Sequence, residues 1–289
     1  MRFTQPLLAA GLLLSLTTLT AEASLTVYNA AGNTPVVYSS VSNATWTGDA
    51  NLLGSLISSQ GYNTVVNAII AASPTIYDTP NYFDGSYGNY DGSNLLPYSG
   101  AYSITAGDFS SSNYGQTNWF GAQAFTKYLS SINYAGSNQW ALPNSGANTQ
   151  DGYNQTGGQF GQLYYNELNA LAYPGTNNSD FGILHDGSWF TSGNAGPFTN
   201  AQTNVYWLAT EYEPLYWLSW VHAPGPISAW FFVTYNGGEG YLGGYKYQQF
   251  YAWAVSPGQV AAVPVPGAVW LFGTGLVGLL GLKRRGHAG

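Results

Sequence analysis

The sequence predicts an α+β domain in which two amphipathic helices precede a set of short strands. Apolar residues recur at helical spacing in two stretches, 119–132 and 160–171. The C-terminal third instead carries three short runs of aromatic and β-branched residues, at 205–212, 229–235 and 250–255. Helices followed by strands, rather than alternating with them, are typical of an α+β fold and not of a parallel α/β sheet.

Each predicted helix has one apolar face. The first is expected to begin after Asn118, because asparagine is a good N-cap. Its apolar face comprises Phe120, Ala124, Phe125, Tyr128 and Leu129. The apolar stripe of the second helix comprises Phe160, Leu163, Tyr164, Leu168 and Leu171. Aromatic stripes of this kind are typical of a packed core rather than of a binding surface.

Glycine-containing turns separate the remaining elements. Asn236-Gly237-Gly238 is expected to form a turn after the second strand. The segment 79–112 is rich in Gly, Tyr, Asn and Asp, and two Asp-Gly pairs in it, at 84–85 and 91–92, mark turns. We expect an inserted surface loop there. Calcium binding by this loop stays open, although the spacing of an EF-hand is absent.

The charge balance restricts the possible partners. Only 7% of the residues are charged, while 16% are aromatic, so the chain has enough to bury a globular core. Between Ser24 and Val263 there are twelve acidic residues and two basic ones, Lys127 and Lys246. Nucleic acid and sulfated glycans are therefore not expected as partners, because phosphate and sulfate binding needs clustered Lys and Arg. A neutral polysaccharide or a cation-bridged matrix is compatible with this balance.

The chain contains no cysteine. Disulfides, thiol catalysis and zinc–thiolate sites are excluded. The G-x-S-x-G, P-loop and H-E-x-x-H motifs are also absent from the sequence. We accordingly expect no cofactor and no metal site.

The N-terminus, 1–23, has the layout of a signal peptide. Arg2 forms a short positive region, an apolar stretch follows at 7–19, and Ala21-Glu22-Ala23 is the small-x-small pattern that signal peptidase accepts. We predict cleavage between Ala23 and Ser24, and therefore export.

The C-terminus, 261–289, combines a short motif, an apolar stretch and a basic cluster. Two prolines, Pro264 and Pro266, precede the uncharged and mostly apolar stretch 268–282. As a helix this stretch would span ~22 Å, somewhat less than the ~30 Å hydrocarbon core of a bilayer. We predict a transmembrane helix over 268–282, with the basic cluster on the cytoplasmic side. The basic cluster consists of Lys283, Arg284 and Arg285.

This tail resembles the PEP-CTERM sorting signal of Gram-negative bacteria. The residues that carry the resemblance are Val263, Pro264, Val265, Pro266, Gly267, Lys283, Arg284 and Arg285. Val265 stands where the family usually has Glu. The resemblance implies recognition by an exosortase-type membrane transpeptidase or protease, transient membrane association, and delivery to the outer surface or the extracellular matrix of an exopolysaccharide-producing, biofilm-forming cell. A plain C-terminal membrane anchor is the alternative.

The body resembles the DUF1566 family, also called the Lcl C-terminal-type domain. The stretches that match cover most of 36–258. They are Val36-Val37-Tyr38-Ser39, Thr45-Trp46-Thr47-Gly48-Asp49-Ala50-Asn51, Trp140-Ala141-Leu142-Pro143, the segments 161–168, 206–212 and 229–233, and Tyr251-Ala252-Trp253-Ala254-Val255. This resemblance implies a C-type-lectin-like domain over 24–260, with two helices and a twisted antiparallel sheet, and says little about activity.

Two kinds of functional residue stand out. Aromatic side chains around a Pro/Gly-rich loop are candidates for stacking on sugar rings, namely Tyr212, Tyr216, Trp217, Trp220 and Trp230. Candidate catalytic or metal-binding groups are the neighbours His185 and Asp186 and the carboxylates Glu211 and Glu213. We expect a non-enzymatic protein that interacts with matrix or neutral exopolysaccharide. A secreted carbohydrate-active or metal-dependent enzyme and a purely structural matrix protein remain the alternatives.

Overall fold

The computed structural model describes residues 24–81, 83, 99–172, 195–212 and 227–262. The predicted α+β class is confirmed. The elements follow in this order: β1 Leu25–Ala30, β2 Thr34–Ser39, β3 Ala44–Thr47, α1 Leu52–Gln60, α2 Tyr62–Ala72, β4 Thr75–Tyr77, β5 Ala101–Ser103, β6 Gln116–Thr117, α3 Trp119–Ser131, α4 Gln159–Gly161 with a π-helical continuation Gln162–Glu167, β7 Val205–Glu211, β8 Ala229–Val233, β9 Gly238–Gly240, β10 Phe250–Tyr251 and β11 Val255–Pro257.

The named strands form three sheets. Their strand orders are β1-β2-β3-β11, β6-β10-β7-β8-β9 and β4-β5. Neighbouring strands are antiparallel except β10 and β7, which run parallel. The last strand, β11, pairs with β3, so the two ends of the described chain meet in the first sheet.

The five-stranded sheet lies between two hydrophobic clusters. Successive side chains of a strand point to opposite faces. In β7, Trp207 accordingly joins a cluster formed mainly by α1, α2 and α3, while Tyr206 and Leu208 join an aromatic cluster around Trp46. The buried indole of Trp207 keeps a hydrogen-bond partner, since its Nε1 donates to the Thr117 carbonyl at 2.9 Å.

The first predicted helix is confirmed as α3. Asn118 caps it, and its side-chain oxygen accepts a hydrogen bond from the Gly121 N–H at 2.8 Å. The second predicted helix is shorter than expected, because helical structure ends at Glu167. The following Asn169 adopts a left-handed backbone conformation, and Leu171 is exposed rather than part of the apolar stripe.

The expectation of only two helices is wrong, because the described residues also include α1 and α2. Asn51 caps α1, and Gly61, with φ of 89°, separates α1 from α2. A residue with a side chain is strained at that φ, so the glycine allows two helices to follow each other directly.

The strand expected over 250–255 is also divided. Phe250 and Tyr251 form β10 in the five-stranded sheet, whereas β11 begins at Val255 and belongs to the first sheet. Between them Trp253 is buried, and its Nε1 donates to the Thr47 carbonyl at 3.0 Å. The chain thus changes sheets where a single regular strand was predicted.

The two terminal segments, 1–23 and 263–289, lie outside the described residues, as do the Asp-Gly pairs at 84–85 and 91–92. Among the residues that the structure describes, no helix is both long and apolar enough to cross a membrane. The signal peptide, the sorting signal and the transmembrane helix over 268–282 therefore stay predictions.

Candidate functional site

The aromatic residues expected to bind sugar are only partly described. Tyr216, Trp217 and Trp220 lie outside the described residues. Trp230 is 6% exposed and belongs to the aromatic cluster, where its ring packs edge-on against Tyr212 and Tyr241. Trp230 was predicted as a stacking platform for sugar, but in the structure its side chain is buried among core residues.

Tyr212 also takes part in aromatic packing. Its ring stacks on that of Tyr241, with centroids 3.6 Å apart and planes within 4°. One face of Tyr212 is therefore covered by another side chain.

A different concave surface lies on α1. It is a shallow pocket of about 480 Å³, within the size range of small-molecule sites. Its lining consists of Asn51, Gly54, Ser55, Ser58, Ser59, Tyr114 and Asn200. We refer to it as the α1 pocket.

The α1 pocket follows from the amphipathic pattern of α1. Leu52, Leu53 and Ile57 are buried in the helical cluster, which leaves the opposite face of the helix to solvent. That face carries the small residues Ser55, Ser58 and Ser59, and the buried Gly54 lies beside it. Small side chains on an exposed helix face leave a depression where Lys or Glu would fill the space.

The floor of the pocket is fixed by Asn51. Its side-chain oxygen accepts from the Gly54 N–H at 3.2 Å, and its Nδ2 donates to the Tyr114 carbonyl at 3.3 Å. A Cβ added at Gly54 would lie 2.7 Å from that carbonyl, and one at Gly115 would lie 1.8 Å from Asn51 Oδ1. The two glycines therefore permit the close approach of the Tyr114 segment to α1.

Asn200 forms the opposite wall. Its Nδ2 donates to Ser55 Oγ at 2.9 Å and to Asp49 Oδ2 at 3.1 Å. Backbone hydrogen bonds fix this wall to the turn before α1, because Ala50 N–H donates to the Thr199 carbonyl at 2.8 Å. Three segments that are distant in the sequence thus meet at one site.

The side chains that line the α1 pocket carry no charge. Its side chains present amides, hydroxyls and the ring of Tyr114, which is 44% exposed. The carboxylate of Asp49, which contacts the lining residue Asn200, has both oxygens engaged, one by Asn200 and the other by the Asn51 N–H at 2.9 Å. Amides and hydroxyls can both donate and accept hydrogen bonds, which suits a ligand rich in neutral hydroxyl groups.

The described lining of the α1 pocket contains no carboxyl group. Glycosidic cleavage needs two carboxyl groups facing the bond, and none of the described residues that line the α1 pocket is acidic. Of the candidate catalytic residues, His185, Asp186 and Glu213 lie outside the described residues, and Glu211 is ion-paired with Lys246. Within the described ranges no three His, Cys, Asp or Glu side chains are grouped as metal ligands.

Comparison of the chain with protein-family models, with curated proteins and with solved structures finds no match in any of the three.

Sequence reasoning missed the α1 pocket because its residues carry no motif of their own. The Asp49-Ala50-Asn51 turn was noted for its resemblance to a family landmark, and the serines of α1 were not noted. The sequence signal that could have indicated the pocket lies in the segment 51–60, where small polar residues stand beside apolar ones. Tyr114 and Asn200 could not have been connected to it, because only the tertiary fold brings them there.

Proposed function

We propose that this chain is an exported, non-enzymatic protein that is sorted to the cell surface or matrix and binds neutral polysaccharide through the α1 pocket. The observation that carries the proposal is the chemistry of that pocket. It combines an exposed tyrosine ring with amides and hydroxyls, and its described lining has no charge.

The charge of the whole body favours the same class of ligand. The chain has a net charge of −7, and acidic residues outnumber basic ones strongly between Ser24 and Val263. This field repels polyanions and has little effect on a neutral glycan. A hexose unit can place one apolar ring face on Tyr114 while its hydroxyls exchange hydrogen bonds with Asn51, Ser58 and Asn200.

The terminal segments support export and sorting. A signal peptide over 1–23 would bring the protein into the secretory route, and the PEP-CTERM-like tail would hold it in the membrane until an exosortase-type enzyme acts near Pro264–Pro266. The family resemblance of the tail connects such proteins with exopolysaccharide, which is the ligand class that the pocket favours.

The Lcl C-terminal-type, C-type-lectin-like assignment belongs to the same proposal. Three of the stretches that carry the resemblance are in contact in the fold. Ala141 pairs with Val255 in a β-bridge, and the Ala209 N–H donates to the Pro143 carbonyl at 2.8 Å. This arrangement supports the reading of these stretches as landmarks of one domain.

Affinity electrophoresis of the full chain tests the binding proposal. Native gels would contain dextran, a mixed-linkage β-glucan, a galactomannan, alginate or heparin. We expect retardation by at least one neutral glycan, with little change between low and high salt, because no ion pair is formed. Retardation by alginate or heparin alone would contradict the proposal, and so would release of reducing ends from the retarding glycan.

A further inference from the structure

A fully buried lysine lies between two carboxylates at the base of the inserted loop. Lys246 Nζ is 2.5 Å from Asp78 Oδ2 and 2.5 Å from Glu211 Oε1. The side chain of Asp78 is 2% exposed and that of Glu211 16%. We refer to these three residues as the Lys246 centre. It is separate from the α1 pocket and has no part in the binding proposed above.

Each member of the Lys246 centre is held by its backbone. The Lys246 N–H donates to the Ile227 carbonyl at 3.0 Å, and its carbonyl accepts from Trp119, the first residue of α3, at 2.9 Å. Asp78 directly follows β4, and Glu211 ends β7. The ends of β4 and β7 and the hydrogen-bonded turn at Lys246 thus bring an amine and two carboxyl groups together.

Aromatic rings exclude water from the amine. Nζ lies 4.6 Å from the ring centroid of Trp119 and 5.6 Å from that of Phe120. The amine and the two carboxyl groups are thus held in direct contact away from bulk water, where a proton that leaves the amine passes to one of the carboxyl groups. A neutral amine in contact with a protonated carboxyl group is a nucleophile in contact with its electrophile.

The two carboxyl groups are held differently, which distinguishes their roles. Asp78 Oδ2 also accepts from Asn81 Nδ2 at 2.7 Å, a contact that would stabilise negative charge developing on this oxygen. Glu211 Oε2 accepts from Thr79 Oγ1 at 2.6 Å, which orients Glu211 with its other oxygen on the amine. Glu211 is also the more exposed of the two, so a water molecule can leave on its side.

We propose that the Lys246 centre forms an intramolecular isopeptide bond between Lys246 and Asp78, with Glu211 as the proton carrier. The lone pair of Nζ attacks Cγ of Asp78, a C–N bond forms, and one C–O bond of the carboxyl group breaks. Glu211 accepts a proton from nitrogen and delivers it to the departing oxygen. The ammonium and the carboxylate become one amide and one water molecule, so atoms and charge balance without an oxidant or a cofactor.

Such a bond would have a clear structural effect. It would join residues 168 positions apart, from the start of the inserted loop to the segment before β10. A covalent link over so long a loop restricts the unfolded chain strongly. In a chain without cysteine, which cannot form disulfides, it would supply the covalent connection that many exported domains obtain from cysteine pairs.

Intact mass spectrometry of the denatured full chain tests the proposal. After any terminal processing is assigned, we expect the mass of the wild type to be lower than that of the linear chain by one water. A chymotryptic digest should yield one branched peptide that joins Asp78 to Lys246. Lys246→Arg, Asp78→Ala and Glu211→Gln should each show no such deficit, whether or not the variant folds.

The matched control is Lys127→Arg, because Lys127 is the other lysine of the body and is exposed on α3. This variant should keep the full mass deficit. A wild-type mass equal to the linear sequence would overturn the proposal. A branch at Glu211 instead of Asp78 would also overturn it, as would a deficit that survives Lys246→Arg, which would indicate water loss at an Asp-Gly pair.

Discussion

One buried carboxyl group, that of Glu239 in β9, is expected to make stability depend on pH. Its side chain is 3% exposed, and neither oxygen has a hydrogen-bond partner. Burial raises the pKa of Glu239 from 4.5 to about 8. Tyr165, the titratable group whose charge interacts with Glu239, also has a pKa raised by burial, to about 12, and so stays neutral in this range.

The sign of the effect follows from the proton balance. The folded state keeps the Glu239 proton up to about pH 8, whereas the unfolded chain releases it near pH 4.5. Because the folded state binds more protons in this window, the free energy of unfolding falls as the pH rises, by at most about 1.4 kcal/mol per pH unit from this group. Below the window Glu239 is protonated in both states and contributes no slope.

We therefore predict that Glu239→Gln stabilises the protein at pH 9 by a few kcal/mol relative to wild type and has a much smaller effect at pH 4. Urea unfolding at both pH values measures this difference. Glu211→Gln is not a suitable control, because Glu211 is ion-paired. Asp151→Asn changes an exposed carboxylate in the neighbouring segment and should leave the wild-type slope in place. An equal pH dependence in wild type and Glu239→Gln would contradict the assignment.

At the scale of elements, α3 depends on its cap. Asn118 accepts from the Gly121 N–H and also donates to Asp108 Oδ1 at 2.6 Å, so it joins the helix start to the preceding turn. We predict that Asn118→Ala lowers the free energy of unfolding by roughly 1–3 kcal/mol, since a helix cap and a buried hydrogen bond are both lost.

Thermal or urea unfolding of the variants measures this effect. The matched control is Ser131→Ala at the other end of α3, where an exposed hydroxyl donates only to the Tyr128 carbonyl within the same helix. This change should stay within about 0.5 kcal/mol of wild type, as is usual at exposed positions. A similar loss of unfolding free energy in both variants would show that the cap stabilises the fold no more than an exposed hydroxyl does.

The same element shows which part of the fold could be predicted from sequence. In α3 the N-cap residue and the spacing of the apolar residues both predict a helix, and the tertiary structure contains that helix. In α1 the serines are weak helix formers, and Gly61 follows directly, so local preference did not indicate a helix pair. Burial of Leu53 and Ile57 against the helical cluster overrides that preference.

Strand boundaries were harder to predict for a related reason. The run 250–255 is uniformly aromatic and apolar, as expected of one strand, yet its two ends pair with different sheets. Both sheets bury side chains of this run, and Trp253 fills the aromatic cluster between them. The apolar composition of the run predicts that these residues are buried, but it does not predict which sheet each one joins.

At the scale of the molecule, the α1 pocket exists only because three distant segments meet. The Asn51 turn, the Tyr114 segment and the wall at Asn200 are joined by hydrogen bonds across 63 and 145 residues. A sequence without charged or catalytic motifs gives no indication of such a site. The aromatic candidates for sugar binding were predicted from the abundance of Tyr and Trp around one loop. The structure places one of them, Trp230, among packing residues instead.

Calorimetric titration of a matched pair of variants tests most directly whether the α1 pocket binds neutral polysaccharide. The titrant is a neutral glycan that retards the wild-type protein. Tyr114→Ala removes the exposed ring of the pocket, while Tyr235→Ala removes a ring with the same 44% exposure in the turn after β8. We expect Tyr114→Ala to weaken binding at least tenfold, about 1.4 kcal/mol, and Tyr235→Ala to bind like wild type. Unchanged affinity in Tyr114→Ala, or an equal loss in both variants, would contradict the assignment of the α1 pocket.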